Sequence, residues 1–198
     1  SQSHYEGLAY TAKELNLETI YVENAEEAKA GVYIEELIEK GCEIIIANSF
    51  GFGEAVEEAA KNHPEIYFLH ATGVGSGKNL STYFGRMYQI RYLSGVVAGM
   101  QTRTNEIGYV AAFPIPEVNR GINAFTLGVR SVNPDATVYV SWIDSWTDDV
   151  ATEEATRKLL EKHDIDVLAM HTDSVKPLEI AEEEGIWSIG YNVDNSRN

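Results

Sequence analysis

The segment Gly41-Cys42-Glu43-Ile44-Ile45-Ile46-Ala47-Asn48-Ser49-Phe50 decides the fold. The unbroken isoleucine run from Glu43 to Ala47 suits a strand in a sheet covered on both faces. The run gives way at once to an amide, a hydroxyl and an aromatic. These residue types collect where parallel strands end and ligands bind. Cys42, just before the run, reads as a small buried hydrophobe.

Outward from this strand, strand and helix patterns alternate. Upstream lie a helix from Tyr5 to Leu15, a strand over Thr19–Val22, and a helix from Ala25 to Lys40. Asn24 is the expected cap of that last helix, with Ala28, Val32, Leu37 and Ile38 facing inward. Downstream come a helix to Asn62 stopped by Pro64, a strand over Ile66–His70, and a glycine-rich turn over Gly73–Gly77. The plan then repeats. Helices are expected over Tyr88–Met100, from Pro114-Ile115-Pro116 through Arg130, over Thr152–His163 and over Pro177–Glu184. Strands are expected over Ile107–Ala111, Thr137–Trp142, Asp166–Met170 and Ile186–Gly190. Strands spaced by such helices indicate right-handed crossovers and parallel sheets. About three strands precede the change at Leu80–Gly85 and four follow it. The expectation is therefore an α/β protein of two doubly wound parallel-sheet lobes, residues 1–84 and 85–198.

Composition excludes several function classes. The chain has 198 residues, 31 Asp and Glu against 15 Lys and Arg, and a net charge of −16. Polyanion binding needs clustered basic residues, so nucleic acid and anionic lipid surfaces are not expected partners. One cysteine cannot form an intramolecular disulfide or a cysteine-based zinc site. No stretch approaches the ~18 apolar residues of a membrane span. The chain opens Ser1-Gln2-Ser3-His4, which reads as a start partway through a longer protein.

Three motif-like features carry little. Gly73-Val74-Gly75-Ser76-Gly77-Lys78-Asn79 lacks the first glycine of a phosphate loop, having Thr72 there. It has Asn79 where that loop needs Ser or Thr, and no helix is expected after it. Gly95 and Gly99 fit close packing of a buried helix on a sheet better than a membrane motif. The histidines form no i, i+4 metal pair, and no serine sits in a Gly-x-Ser-x-Gly elbow. No catalytic residue, metal or cofactor is expected.

The strand ends carry the function. They offer Asn48, Ser49 and Phe50, then Phe113 to Glu117, then Trp146, then His171-Thr172-Asp173-Ser174, then Tyr191-Asn192. Lys and Arg are scarce among them, which suits a small, planar, neutral or weakly polar ligand. Phe50 and Trp146 can sandwich a ring. Asn48, Ser49, Asp173 and Asn192 can match donors and acceptors on its edge. Phe50 and Trp146 could equally be core aromatics, and Asp173 a helix cap.

Four segments carry a family resemblance: Asn48–Gly53 with Ala59-Ala60-Lys61 and Pro64; Tyr88–Gly99; Ile107–Val110 with Gly121–Gly128; and Ser145–Asp148. In order and spacing the chain resembles the basic membrane protein family of ABC-transporter solute-binding lipoproteins, purine nucleoside receptor-like. The match runs from about His4 to Asn195. The resemblance implies a type I periplasmic-binding-protein fold, with a ligand held between two lobes about a hinge near Tyr83–Gly85. It also implies an extracytoplasmic place, periplasmic or anchored by a lipid outside this chain, and an ABC permease as partner. The segments His171–Ser174 and Phe113–Val118 look closest to the branch associated with adenine. Asn192 stands in Gly190-Tyr191-Asn192-Val193-Asp194 where nucleoside binders carry the Asp for the ribose. That favours a free purine base over a nucleoside. The family's first strand and its C-terminal return to the first lobe are expected to be missing here.

The resulting ligand-binding set is Asn48, Ser49, Phe50, Trp146, His171, Asp173 and Asn192. Two rivals stay open: a cytosolic doubly wound enzyme with a nucleotide cofactor, and the ligand-sensing domain of a receptor.

Overall fold

Backbone pairing sorts the strands into two all-parallel sheets, one of three strands and one of four. The computed structural model describes residues 2–192. The chain divides into two units, Ser1–Gly85 and Arg86–Asn198. Val193 to Asn195, the end of the family resemblance, lie outside the described residues.

In the first unit, β1 (Ile44–Ala47), β2 (Tyr67–Ala71) and β3 (Leu80–Tyr83) lie in that order. Helices α1 (Gln2–Leu15), α2 (Ala30–Glu39) and α3 (Gly53–Asn62) complete it. Ile34 of α2 and Val56 and Ala59 of α3 bury Ile45, Ala47 and Phe68. Cys42 packs half-buried against this cluster. The isoleucine run is covered on one face only, since Ile44 and Ile46 stay 59% and 48% exposed.

The first unit departs from three further expectations. Thr19–Val22 forms no strand and lies exposed, with Tyr21 against Tyr5 at 4.8 Å. The third strand is β3, whose only buried residue is Leu80. An edge strand with so little burial has no apolar run to betray it. Asn24 does not cap α2. It takes a left-handed φ of 51°, and a 3₁₀ turn over Glu27–Lys29 precedes the helix. The inward face of α2 is therefore set by Ala30 and Ile34 with Leu37 and Ile38 half-buried beside them as expected, while Ala28 and Val32 are exposed. Asn79 explains why the glycine-rich turn is no phosphate loop. Its Nδ2 donates to the carbonyls of Ala60, His63 and Ile66 at 2.9, 3.0 and 2.9 Å, and the chain then enters β3.

In the second unit the order is β5 (Thr137–Trp142), β4 (Glu106–Ala111), β6 (Val167–His171), β7 (Trp187–Ile189). Helices α4 (Met87–Gln101) and α5 (Pro116–Val132) cover one face through Ala98, Phe125 and Val129. Helices α6 (Asp149–Lys162) and α7 (Lys176–Glu183) cover the other through Leu159 and Ala181. Thus β6 is buried along its whole length. Gly95 serves helix–helix packing and not helix–sheet packing as expected. A Cβ there would sit 2.0 Å from the Phe125 carbonyl oxygen, and one at Gly128 would sit 2.0 Å from that of Tyr92. Helix α6 starts earlier than expected because Asp148 caps it, accepting from the Ala151 N–H at 2.9 Å.

The loop after α4 is tied to the start of β6 by Asp166. This carboxylate accepts from Thr102 Oγ1 at 2.6 Å and from the N–H groups of Arg103 and Thr104 at 2.5 and 3.2 Å. Partial burial pushes its pKa up, but the hydrogen bonds together outweigh that and hold it below the ordinary value.

Candidate functional site

Each parallel sheet presents its polar residues just past the carboxyl ends of its strands, as in other open α/β sheets. In the first unit β1 leads directly to Asn48, Ser49 and Phe50. Ser49 Oγ donates to Glu27 Oε1 at 2.6 Å. His70, 2% exposed at the end of β2, donates from Nε2 to the Ser49 carbonyl at 2.6 Å. A carbonyl only accepts, so this contact fixes the proton on Nε2. Ser49 is thereby held from both its side chain and its backbone. Asn48 is half-buried beside it, and Phe50 opens a 3₁₀ turn with 36% of its surface exposed. Across β2, Thr72 takes a φ of 64°. That conformation is costly for a β-branched residue, and such strain clusters at binding sites.

In the second unit the structure brings Trp146, His171, Asp173 and Asn192 together. The Trp146 carbonyl accepts from the Asp173 N–H and from Thr172 Oγ1, both at 2.8 Å. Asn192 Nδ2 donates to Asp173 Oδ1 at 3.0 Å. Asp173 is therefore a partner of Asn192 and not a cap, since α7 begins without a side-chain cap. The Trp146 ring packs half-buried against the core, edge-on to Phe113 at 5.8 Å and 6.1 Å from the His171 ring. The core reading of Trp146 holds for the part of the ring packed against that cluster.

His171 is 2% exposed beneath these groups. Its ring lies 4.4 Å from that of Tyr191, and Nε2 lies 3.2 Å from Glu117 Oε1, off the line of a well-formed hydrogen bond. Burial pushes its pKa below the ordinary value, and Arg91 adds to the effect, while Glu117 and Asp173 oppose it. Burial likewise raises Tyr109 to about 12 and raises Tyr191.

Sequence reasoning missed Glu27 and His70 in the first unit and Arg91 and Tyr109 in the second; Glu117 and Tyr191 stood among its strand-end residues but outside its ligand-binding set. The available signal for Arg91 was its standing as the sole charge in Met87–Gln101. The histidine at the end of β2 was a second such signal. Among the described residues no group of His, Cys, Asp and Glu could hold a metal ion, and no helix is long and apolar enough to cross a membrane.

The chain is 41% identical over 177 residues to TsgA13 of Haloferax volcanii, which carries the name of an ABC transporter glucose-binding protein. That match covers 89% of this chain and 45% of the relative. It is 37% identical over 179 residues to a purine-binding protein of Brucella abortus, covering 90% of this chain and 51% of the relative. The chain spans about half the length of these curated relatives. In fold it is similar to the crystal structure of an ABC transporter solute-binding protein from Aeropyrum pernix. The TM-score there is 0.79 at 19% identity, over 93% of this chain and 55% of the other. The two parallel-sheet units are those of the periplasmic-binding-protein fold. The family model described as Bmp, ABC transporter substrate-binding protein PnrA-like, matches residues 1–198, and the chain belongs to that family.

Proposed function

We propose that this chain supplies the ligand-contacting strand ends of an extracytoplasmic, lipid-anchored receptor that captures a purine base and hands it to an ABC permease. Within the first unit its strand-end residues are Asn48, Ser49 and Phe50, and within the second they are Trp146, His171, Asp173 and Asn192. The observation that carries the reading is the convergence of Trp146, Asp173 and Asn192 at the ends of β5, β6 and β7. An aromatic face beside a carboxylate and an amide suits a flat heterocycle whose edge carries both donors and acceptors. The purine-binding relative supports the same ligand. The role is capture and release, without bond chemistry, in keeping with the family's solute-binding members.

A second reading is a sugar ligand, favoured by the glucose-binding name of the 41% identical relative. The same carboxylate and amide accept hydrogen bonds from sugar hydroxyls. Calorimetric titration of the full-length protein with adenine, guanine, adenosine, guanosine, riboflavin and glucose separates the two. Purine binding is expected, with Trp146→Ala weakening it about tenfold or more. Heat from glucose alone would replace the purine reading with the sugar reading, and silence to all six would end both.

A further inference from the structure

We infer that Arg91 is the positioning residue of this site, setting the Asp173–Asn192 pair without itself touching ligand; this rests on the proposed ligand-binding reading. Arg91 is the only charged residue of α4 and is 6% exposed. Its Nη1 donates to the Met170 carbonyl at 3.0 Å. Its guanidinium centre lies 4.6 Å from the Tyr191 ring centroid and 5.8 Å from that of Tyr109. Helix α5 packs against the same side chains at Gly121, where a Cβ would meet the His171 ring at 3.4 Å and Arg91 Cγ at 3.8 Å, ordinary contact distances.

The positions of these contacts give the role. Met170 leads through His171 and Thr172 to Asp173. Tyr191 immediately precedes Asn192, which takes a left-handed φ of 64°. One side chain from α4 therefore grips both chain segments that carry the hydrogen-bonded pair. A planar guanidinium can do this because it donates in its plane and stacks through its face.

Stability alone is a poor reason for Arg91 to be there. Its Nη2 is buried without a hydrogen-bond partner, and no ion pair neutralises its charge among the described residues. Burying a cation on such terms costs more than burying an apolar chain of similar length. Leu or Met would join α4 to the sheet at lower cost, but neither would hold the two strand ends.

The test uses Arg91→Met and Arg91→Lys, alone and with Asn192→Ala. Amide exchange gives a readout that needs no ligand, and calorimetric titration with adenine and guanine gives binding. Arg91→Met is expected to speed exchange at residues 171–173 and 190–192 selectively, and to weaken binding about tenfold or more without lowering the unfolding temperature in proportion. Arg91→Lys keeps a cation near Tyr191 without the planar fork and should recover only part of the affinity. In the Asn192→Ala background Arg91→Met should cost less than about twofold more, because the two act through one segment. Unchanged exchange at those segments, or penalties that simply multiply, would overturn the inference. Selective exchange in a protein that binds neither purine would leave Arg91's positioning role standing and overturn the purine reading.

Discussion

Burial fixes what His171 can do. Its ring is enclosed by Trp146, Tyr191 and α5, and it faces Glu117, Arg91 and Asp173. Desolvation is the largest influence and disfavours the charged form, so the folded pKa falls below the ordinary 6.5. A lowered histidine pKa means the unfolded chain takes up its proton at higher pH than the folded one. Stability is then fully present above 6.5, declines as pH falls below it, and stops declining once the folded His171 protonates. Thermal unfolding between about pH 7.5 and pH 5 should show this decline, and His171→Gln should flatten it. A variant curve running parallel to the wild type would show that Glu117 cancels the burial effect. The positions of Trp146, His171, Asp173 and Asn192 at or beyond strand ends were legible because a sequence shows where a strand ends. Arg91 was not, because no spacing rule says which helix residue will reach across to those ends.

At the scale of elements, α4 and α5 show a limit of periodicity. The apolar run of α4 suggested a buried helix, yet Ile90, Leu93, Val97 and Met100 are exposed and only the face carrying Arg91, Gly95, Ala98 and Gly99 is buried; Gly95 and Gly99 marked close packing. The identity of the partner was hidden, since a small residue records an approach and not what approaches. Here it is the backbone of α5, with the Phe125 carbonyl where a Gly95 Cβ would stand. Backbone cannot swing aside as a flexible side chain can. Gly95→Ala should therefore force the helices apart and cost about 1–3 kcal/mol, read as a lowered denaturant midpoint at constant slope. Unchanged stability would mean that the two helices slide past each other freely. The strands show the complementary case. Those buried on two faces, β4 and β6, read clearly from their apolar runs, whereas β3 did not. Thr19–Val22 has the composition of a strand but pairs with no neighbour among the described residues, and pairing is what makes a strand.

For the whole molecule the charge balance has a consequence that neither fold nor site determines. The acidic excess is spread over both units, with 14 Asp and Glu against 5 Lys and Arg up to Gly85 and 17 against 10 beyond it. With 31 acids and 15 bases, most carboxylates have no cation to meet. The ion pairs that do form, such as Lys29–Glu26, Arg157–Glu183 and Lys176–Glu179, are largely solvent-exposed. Exposed pairs contribute little, so screening them loses little. Screening the general repulsion gains more, because like charges in a folded unit are held closer together than in an unfolded chain. Raising sodium chloride from about 10 mM to about 150 mM shortens the screening distance from about 30 Å to about 8 Å. The unfolding temperature should rise by about 2 °C or more over that range. Replacing several exposed glutamates by glutamine should raise it at low salt and shrink the salt effect. A temperature that falls with salt would mean that the few ion pairs outweigh the repulsion.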